Sequence, residues 1–417
     1  MHTMSNTTVR PQDRDAVRDL ARRYDEICHE DVQAPRRDLW RRHNSLTRTR
    51  PLIYVRAFAW GEMSESRLAC EDPFCRRWED FFRRMLFWHA LDDDSVFEPW
   101  VTVEAVRAWP PDGVWGLPTR WIAGPDPRGA KKIDPAIKSP EDARRMVVPR
   151  HQVDEEATAR EAARTHELFG DIVPVAVSRA PIWRMWNGDI STQLAYLRGV
   201  DGMMWDMMDR PAWLREVLAF MRDGILKAHE EAEQAGHWSL LDHQNQAMPY
   251  AEELRDPAPE GTGVLRRDLW HFCASQETTL VGPEMFWEFM LQYQLPIVEK
   301  FGLLAYGCCE DLTRKIPYLR RIPNLRRIAV SPMADVRKCA EQIGTDYVLS
   351  YRPSPAEMVS CGFDPDYVRT KLRNDLEGCR ECHVDITLKD VETVQNDPTR
   401  VKKWVRITRE VIDEIGW

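Results

Sequence analysis

The chain has 417 residues, 58 Lys+Arg against 67 Asp+Glu, a net charge of -9 and 43% hydrophobic residues. That balance excludes a broad phosphate-binding surface, which shows itself as a basic excess, so no nucleic-acid partner is expected. No run approaches the ~20 consecutive apolar residues of a membrane helix, and ten cysteines are too sparse for a disulfide scaffold. No apolar signal segment stands near Met1, so the reading is a cytoplasmic protein with free thiols, acting on a small molecule; a homodimer is compatible with it.

Residues 1–50 alternate charge with small apolar residues and predict a helical extension. The apolar runs 51–56 and 95–98 read as buried strands. Residues 107–140, rich in Pro, Gly and Trp without a period, predict a loop or hairpin excursion. A helix over 155–168 precedes a near-continuous apolar strand at 171–177, and a long amphipathic helix covers 211–236, with Pro211 at its start and Gly236 at its end. Further strands are predicted at 238–242, 269–274, 303–308, 327–331, 347–351 and 383–388. Helices over 283–301, 313–321, 333–343, 364–376 and 398–415 lie between most of them. Eight or nine strands alternating with helices, without an interior change of composition, predict a single α/β domain: a (β/α)8 TIM barrel over 51–417 with the N-terminal helical extension packed on it.

Catalytic groups of such a barrel sit at the C-terminal strand ends. The rule selects Arg56, Glu98, Asp242, His243, Gln276, Tyr306, Cys308, Cys309, Glu310, Asp335, Arg352 and Lys389. Several of these can equally be buried groups that satisfy one another. Gly-Cys-Cys-Glu-Asp over 307–311 is the sharpest local feature, because thiols with a carboxylate suit zinc; Cys308 and Glu310 are the expected ligands. The alternative is a small cysteine packed against the barrel wall. Asp242 and His243 form either an acid/base pair or a structural hydrogen-bonded one. Cys379, Cys382 and His383 spell the C-x-x-C-H of haem attachment, but they run straight into a strand, and chance accounts for them better. No glycine-rich phosphate loop is present.

The segment GPEMFWEFMLQYQLPIVEK over 282–300, followed by YGCCE over 306–310, resembles the uroporphyrinogen decarboxylase superfamily, in which an S-P-E-x-(F/W) helix start precedes a strand carrying H-x-C-G-N. PLIYVRAFAW over 51–60 is similar to that family's P-V-W-x-M-R-Q-A-G-R. The resemblance implies the barrel and two kinds of activity. The decarboxylases hold substrate carboxylates with arginines and an aspartate and use no cofactor. Arg56 matches the first arginine, Glu98 is set against the aspartate, and Trp60 replaces the second arginine. The corrinoid-linked methyltransferases hold zinc with H-x-C and a later cysteine; Cys308 matches that cysteine, while Tyr306 stands at the histidine.

The leading expectation is a methyltransferase that moves a methyl group between a corrinoid, supplied by a partner protein, and a small acceptor, with zinc assistance through Cys308 and Glu310. Glu98, Asp242, His243, Glu310 and Tyr306 are then the catalytic candidates, and Arg56, Trp60, Gln276 and Arg352 bind substrate. The alternatives are a metal-free carboxy-lyase, with Arg56 on a carboxylate and Glu98 as the acid, and a corrinoid-binding module without turnover.

Overall fold

The computed structural model describes residues 9–125, 129, 131–261 and 263–417. Residues 1–8 of the expected extension, and 126–128 and 130 of the excursion, lie outside the described residues. Ten strands are formed: β1 Leu52–Val55, β2 Val101–Glu104, β3 Arg120–Ile122, β4 Lys132–Asp134, β5 Val175–Ser178, β6 Trp270–Cys273, β7 Leu303–Tyr306, β8 Leu325–Val330, β9 Val348–Tyr351 and β10 His383–Leu388. Six of them make a curled parallel sheet in the order β1-β10-β9-β8-β7-β6. Strands β2 and β5 form a separate parallel pair, and β3 and β4 an antiparallel hairpin within the 107–140 excursion.

Single bonds span the interval between the sheet edges β1 and β6. Asp94 N–H donates to Ile53 O at 2.8 Å. The Asp94 and Asp93 carboxylates accept from the Ile53 and Val55 N–H groups at 2.8 and 2.7 Å. On the other side Ser178 donates to Asp242 at 2.6 Å, and Gln244 N–H to Trp270 O at 3.2 Å. An α/β fold with a half-barrel of parallel strands is therefore in place, an arrangement consistent with a TIM-like fold.

Two expected strands are not strands, for local reasons. Over 95–98 the backbone is held by side chains: Ser95 N–H donates to Asp93, and Phe97 N–H to Gln33. The strand begins later, at Val101. Over 238–242 the Asp242 carboxylate accepts from Ser239 N–H and Oγ–H, a capping box that winds Leu240–Asp242 into a 3-10 turn. The helix expected over 283–301 forms with a π-helical stretch, Trp287–Leu291, ahead of Pro296, which lacks the N–H that an α-helix needs there. The segment expected as a helix over 313–321 shortens to Ile316–Leu319.

Side chains alternate across each strand. Ile53, Val55, Leu304, Tyr306, Ile328, Val330, Leu349, Tyr351, Ile386 and Leu388 join the main core, together with Leu218 and Met221 of the helix Pro211–Gln234 and Trp404 of Thr399–Glu414. The opposite parity, with Leu52, Tyr54, Trp270, Phe272, Leu303 and Ala305, forms smaller clusters on the concave face. That face also carries polar groups. Arg327 donates to Asp385 at 2.9 Å and to Ser350 at 3.0 Å, and His43 Nε2 lies 3.3 Å from Asp385.

His43 belongs to the helix α2, Gln33–Asn44, which follows α1, Pro11–Cys28. Asn44 donates to Met248 O and Tyr250 O, and Arg326 donates to Asn44 O at 2.5 Å. Helix α1 packs Val17, Leu20 and Tyr24 against Phe74, Trp78 and Phe82 of the helix α3, Pro73–His89. Helix α2 of the extension thus covers the N-terminal end of the sheet. No helix among the described residues is long and apolar enough to cross a membrane.

Candidate functional site

Strands β1, β7, β9 and β10 deliver Arg56, Cys308, Arg352 and Lys389 just past their C-terminal ends. Each is placed by its strand. Arg56 N–H donates to Leu388 O at 2.8 Å, which sets Arg56 beside Lys389 across β1 and β10, and Arg352 N–H donates to Val330 O at 2.9 Å. Strain gathers in the same loops. Positive φ occurs at Ala59 after β1, Met185 and Ile190 after β5, and Asp390 after β10, and at a β-branched residue such as Ile190 it is a genuine outlier. Gly307 after β7 has φ +99°, and a Cβ there would meet Leu312 at 2.6 Å and Ala329 at 3.1 Å. The turn therefore needs glycine.

Beyond Gly307 the two thiols meet one cation. Lys389 Nζ donates to Cys308 Sγ at 3.2 Å, to Cys309 Sγ at 3.0 Å and to Asp390 at 2.6 Å. The sulfurs are 3.5 Å apart. Arg352, itself buried, donates from Nη1 to Gly307 O at 3.1 Å and Cys308 O at 3.0 Å. The Cys308 thiol is pulled down to about 6, by the Cys309 hydrogen bond first, against the opposing effect of burial, and then by Arg352 and Lys389. The pull favours its thiolate form. Its partner Cys309 is pushed up, chiefly by that same hydrogen bond, so the pair holds one proton. Burial alone would lower the Lys389 ammonium, but the Cys308 thiolate and Asp390 hold it above its ordinary value.

Two arginines keep donors in hand. The Arg352 Nε is buried without a hydrogen-bond partner. The Arg56 guanidinium has no ion pair or hydrogen bond among the described residues and lines a cavity of about 530 Å³ with Phe58, Trp60, Trp88, Arg84 and Glu392. Trp60 itself is held by an Nε1–H bond to Asp80 at 2.7 Å.

The remaining candidates are placed elsewhere. Glu98 lies ahead of β2 rather than after a strand, where Arg37 donates to it at 2.9 Å and Tyr250 O–H is also bonded to it. Asp242 and His243 do not act as a pair. The Asp242 carboxylate is saturated by Ser178, Arg184 and Ser239, while His243 Nδ1 accepts from Trp270 N–H at 3.2 Å. Burial lowers His243 to about 4, so it stays neutral. Tyr306 is on the helix-facing side of β7, in the same core as Cys273, its partner in register. Its hydroxyl donates to Gln294 at 2.8 Å and lies 3.0 Å from Ser275. Strand alternation thus turns the residue at the usual histidine position away from the concave face. Gln276 is half-buried and donates to Glu277 at 3.3 Å, and Asp335 caps the helix Val336–Ile343 on the surface. Cys379 and Cys382 donate to Asp375 O and Ala340 O as packed thiols.

Zinc does not fit the residues present. Both Glu310 oxygens are taken, by Ser275 N–H at 2.9 Å and Cys308 N–H at 2.7 Å. The Lys389 ammonium occupies the side of the thiols that a cation would need. Among the described residues no three His, Cys, Asp or Glu side chains are grouped to hold a metal.

A second group lies beside the site and went unread in the sequence: Asp189 and Glu277, bridged by Thr192, whose hydroxyl is 2.8 and 3.0 Å from their oxygens. Burial first, then Glu277, raises Asp189 well above the ordinary carboxyl range. Its only signal in the sequence is a polar Gly-Asp before an apolar helix, too common to single out.

Comparison with protein-family models finds no match, and comparison with curated proteins finds none that is significant.

Proposed function

We propose that this chain is a carboxy-lyase of the uroporphyrinogen decarboxylase kind. It would act without a metal on a small carboxylic acid at the mouth of a closed (β/α)8 barrel. The observation that carries the reading is Arg56, whose guanidinium has no partner among the described residues, lines a cavity with Phe58, Trp60 and Trp88, and stands beside Lys389 across two strands. A guanidinium left without a carboxylate in a half-buried place is a receptor for one. The single bonds in the interval between β1 and β6 support barrel closure, and strained residues such as Ala59, Ile190 and Asp390 stand in loops that follow strands β1, β5 and β10.

In this reading Arg56 anchors a retained carboxylate and the spare Arg352 donor faces developing charge. The bond from the reacting carbon to its own carboxylate breaks, carbon dioxide leaves, and the electron pair stays on carbon. Lys389 then gives that carbon a proton, and the amine is recharged from solvent by way of exposed Asp390. Cys308 acts as the counter-anion that keeps Lys389 protonated. The test is carbon dioxide release from a panel of small and aromatic carboxylic acids. Arg56→Ala should raise KM by about 10- to 100-fold, the ~1.5–3 kcal/mol of a charged hydrogen bond, while Lys389→Met should lower kcat. Equal turnover by Arg56→Ala, or no release from any acid, would overturn the reading.

The lowered Cys308 thiol favours one second reading, methyl transfer to sulfur. The thiolate attacks the methyl carbon of a donor such as a corrinoid methyl carrier; the sulfur–carbon bond forms and the leaving group departs with the pair. It ranks second because passing the methyl on from the neutral thioether would have to expel the Cys308 thiolate, a poor leaving group, so the sulfur would not turn over readily. A one-methylene mass increase on Cys308 after incubation with methylcobalamin would reverse the order.

A further inference from the structure

Adjacent residues of an extended chain point in opposite directions, yet Cys308 and Cys309 reach the same lysine. The positive φ of Gly307 turns the chain so that both sulfurs face Lys389, 3.5 Å from one another, with Cys308 buried and Cys309 exposed. Asp390 also accepts from Cys309 at 3.6 Å. The other eight cysteines are not paired in this way: seven are buried and Cys361 is exposed alone.

We infer that Cys308 and Cys309 are a redox modification site, a vicinal dithiol oxidised by low-molecular-weight disulfides to a ring-closed disulfide. Cys309, the sulfur that solvent reaches, passes its proton to Cys308 and attacks the reagent disulfide; a mixed disulfide forms and one thiolate leaves. That thiolate takes the proton from Cys308, and the Cys308 sulfur then attacks Cys309 Sγ, expelling the second thiolate. Two protein thiols are oxidised and one disulfide is reduced to two thiols. Adjacent Cα atoms are about 3.8 Å apart, closer than the roughly 4.4–6.8 Å of ordinary disulfides. The product is therefore strained and returns readily to the dithiol when the surroundings become reducing. Because oxidation removes the counter-anion of Lys389, the site changes charge with its redox state. The inference concerns the thiols alone and stands whether or not the chain is a lyase.

The experiment uses the full chain and glutathione disulfide at neutral pH, read by intact mass and peptide mapping after free thiols are alkylated. The expected product has two fewer alkylatable thiols, a link confined to 308–309 and no bound glutathione, and dithiothreitol reverses it. Cys308→Ser should stop at a glutathione adduct on Cys309. A stable adduct in the unmodified chain, or a link to any other cysteine, would overturn the inference. Phenylarsine oxide, which needs two sulfurs, gives a second reading independent of oxidation: one equivalent should bind the reduced chain at least about 100-fold more tightly than either single serine variant. Equal binding would refute the pairing.

Discussion

Replacing Lys389 with methionine removes a positive charge 3.2 Å from Cys308 Sγ and leaves the chain stem in place. The attraction between unit charges at that distance is about 1.3 kcal/mol at the dielectric of water and about 5 kcal/mol at an effective value of 20. At ~1.4 kcal/mol per tenfold change in ionisation, even the lower figure takes the Cys308 thiol from about 6 to about 7. The middle of the range takes it to the ordinary ~8.5 of a free thiol. The rate of alkylation at one pH is a poor readout, because the smaller thiolate fraction is offset by the greater nucleophilicity of a more basic sulfur; with a Brønsted slope of about 0.4–0.5 the two nearly cancel. The midpoint of the rate against pH is the informative quantity. Iodoacetamide modification of Cys308, followed by peptide mass between pH 5 and 9, should give a midpoint near 6 in the parent chain and at or above about 7 in Lys389→Met. Lys389→Arg should stay close to the parent. A midpoint that remains near 6 in Lys389→Met would show that the Cys309 hydrogen bond and Arg352 suffice, and would remove Lys389 from the site.

Three further outcomes follow from the same geometry. Gly307→Ala should lower stability by about 1–3 kcal/mol in urea melts, because φ +99° and the 3.1 Å approach to Ala329 leave no room for a side chain; unchanged stability would refute the strained turn. Tyr306→Phe should cost about 1 kcal/mol, since Gln294 and Ser275 still bond one another, and should leave the Cys308 midpoint unmoved; a large shift would put Tyr306 in the site after all. Asp385 is held down to about 2, against burial, chiefly by Arg327 and then by His43. A group lowered by folding stabilises above its unfolded value and loses that contribution as pH falls, so about 2–3 kcal/mol should disappear between pH 5 and 2. In Asp385→Asn that part of the acid dependence should be absent.

The alternation of strand and helix was legible because it rests on local pattern, and from 269 onward the strands lie within about two residues of where apolar runs placed them. The two misplaced strand segments share one cause. At 95–98 and 238–242 the apolar pattern is that of a strand, but Asp93 and Gln33 in the first segment and Asp242 in the second give backbone amides a side-chain partner instead of a ladder. Moving those two segments also moved Glu98, Asp242 and His243 away from any strand end. Tyr306 failed for a different reason: its place in a motif says nothing about strand parity, and parity decides which face a side chain takes. The positions of Cys308, Arg56 and Arg352 past strand ends were legible because glycine, thiol and arginine just past an apolar run are visible in one dimension. That Lys389 joins them is not, because 81 residues separate it from Cys308 and only the parallel pairing of β10 with its neighbours brings them together.

The concave face carries its polar groups in two layers. In the lower layer Arg327, Asp385 and Ser350 bond one another under the cover of α2, and removing a partner from such a buried pair costs about 3–5 kcal/mol without exposing a binding group. In the upper layer Arg56 and the Arg352 Nε keep donors without a partner among the described residues. Open nitrogens occur in both layers, Arg327 Nε and His43 Nδ1 below and Arg352 Nε above, so what sets the upper layer apart is Arg56, whose guanidinium lines a cavity and is the group proposed to receive a carboxylate. Substitutions in the two layers should then separate cleanly: Asp385→Asn should move the unfolding midpoint, and Arg56→Ala should leave it within about 0.5 kcal/mol while changing how carboxylates bind. If Arg56→Ala destabilises the fold as much as Asp385→Asn does, Arg56 is part of the scaffold and the cavity beside it is not a substrate site.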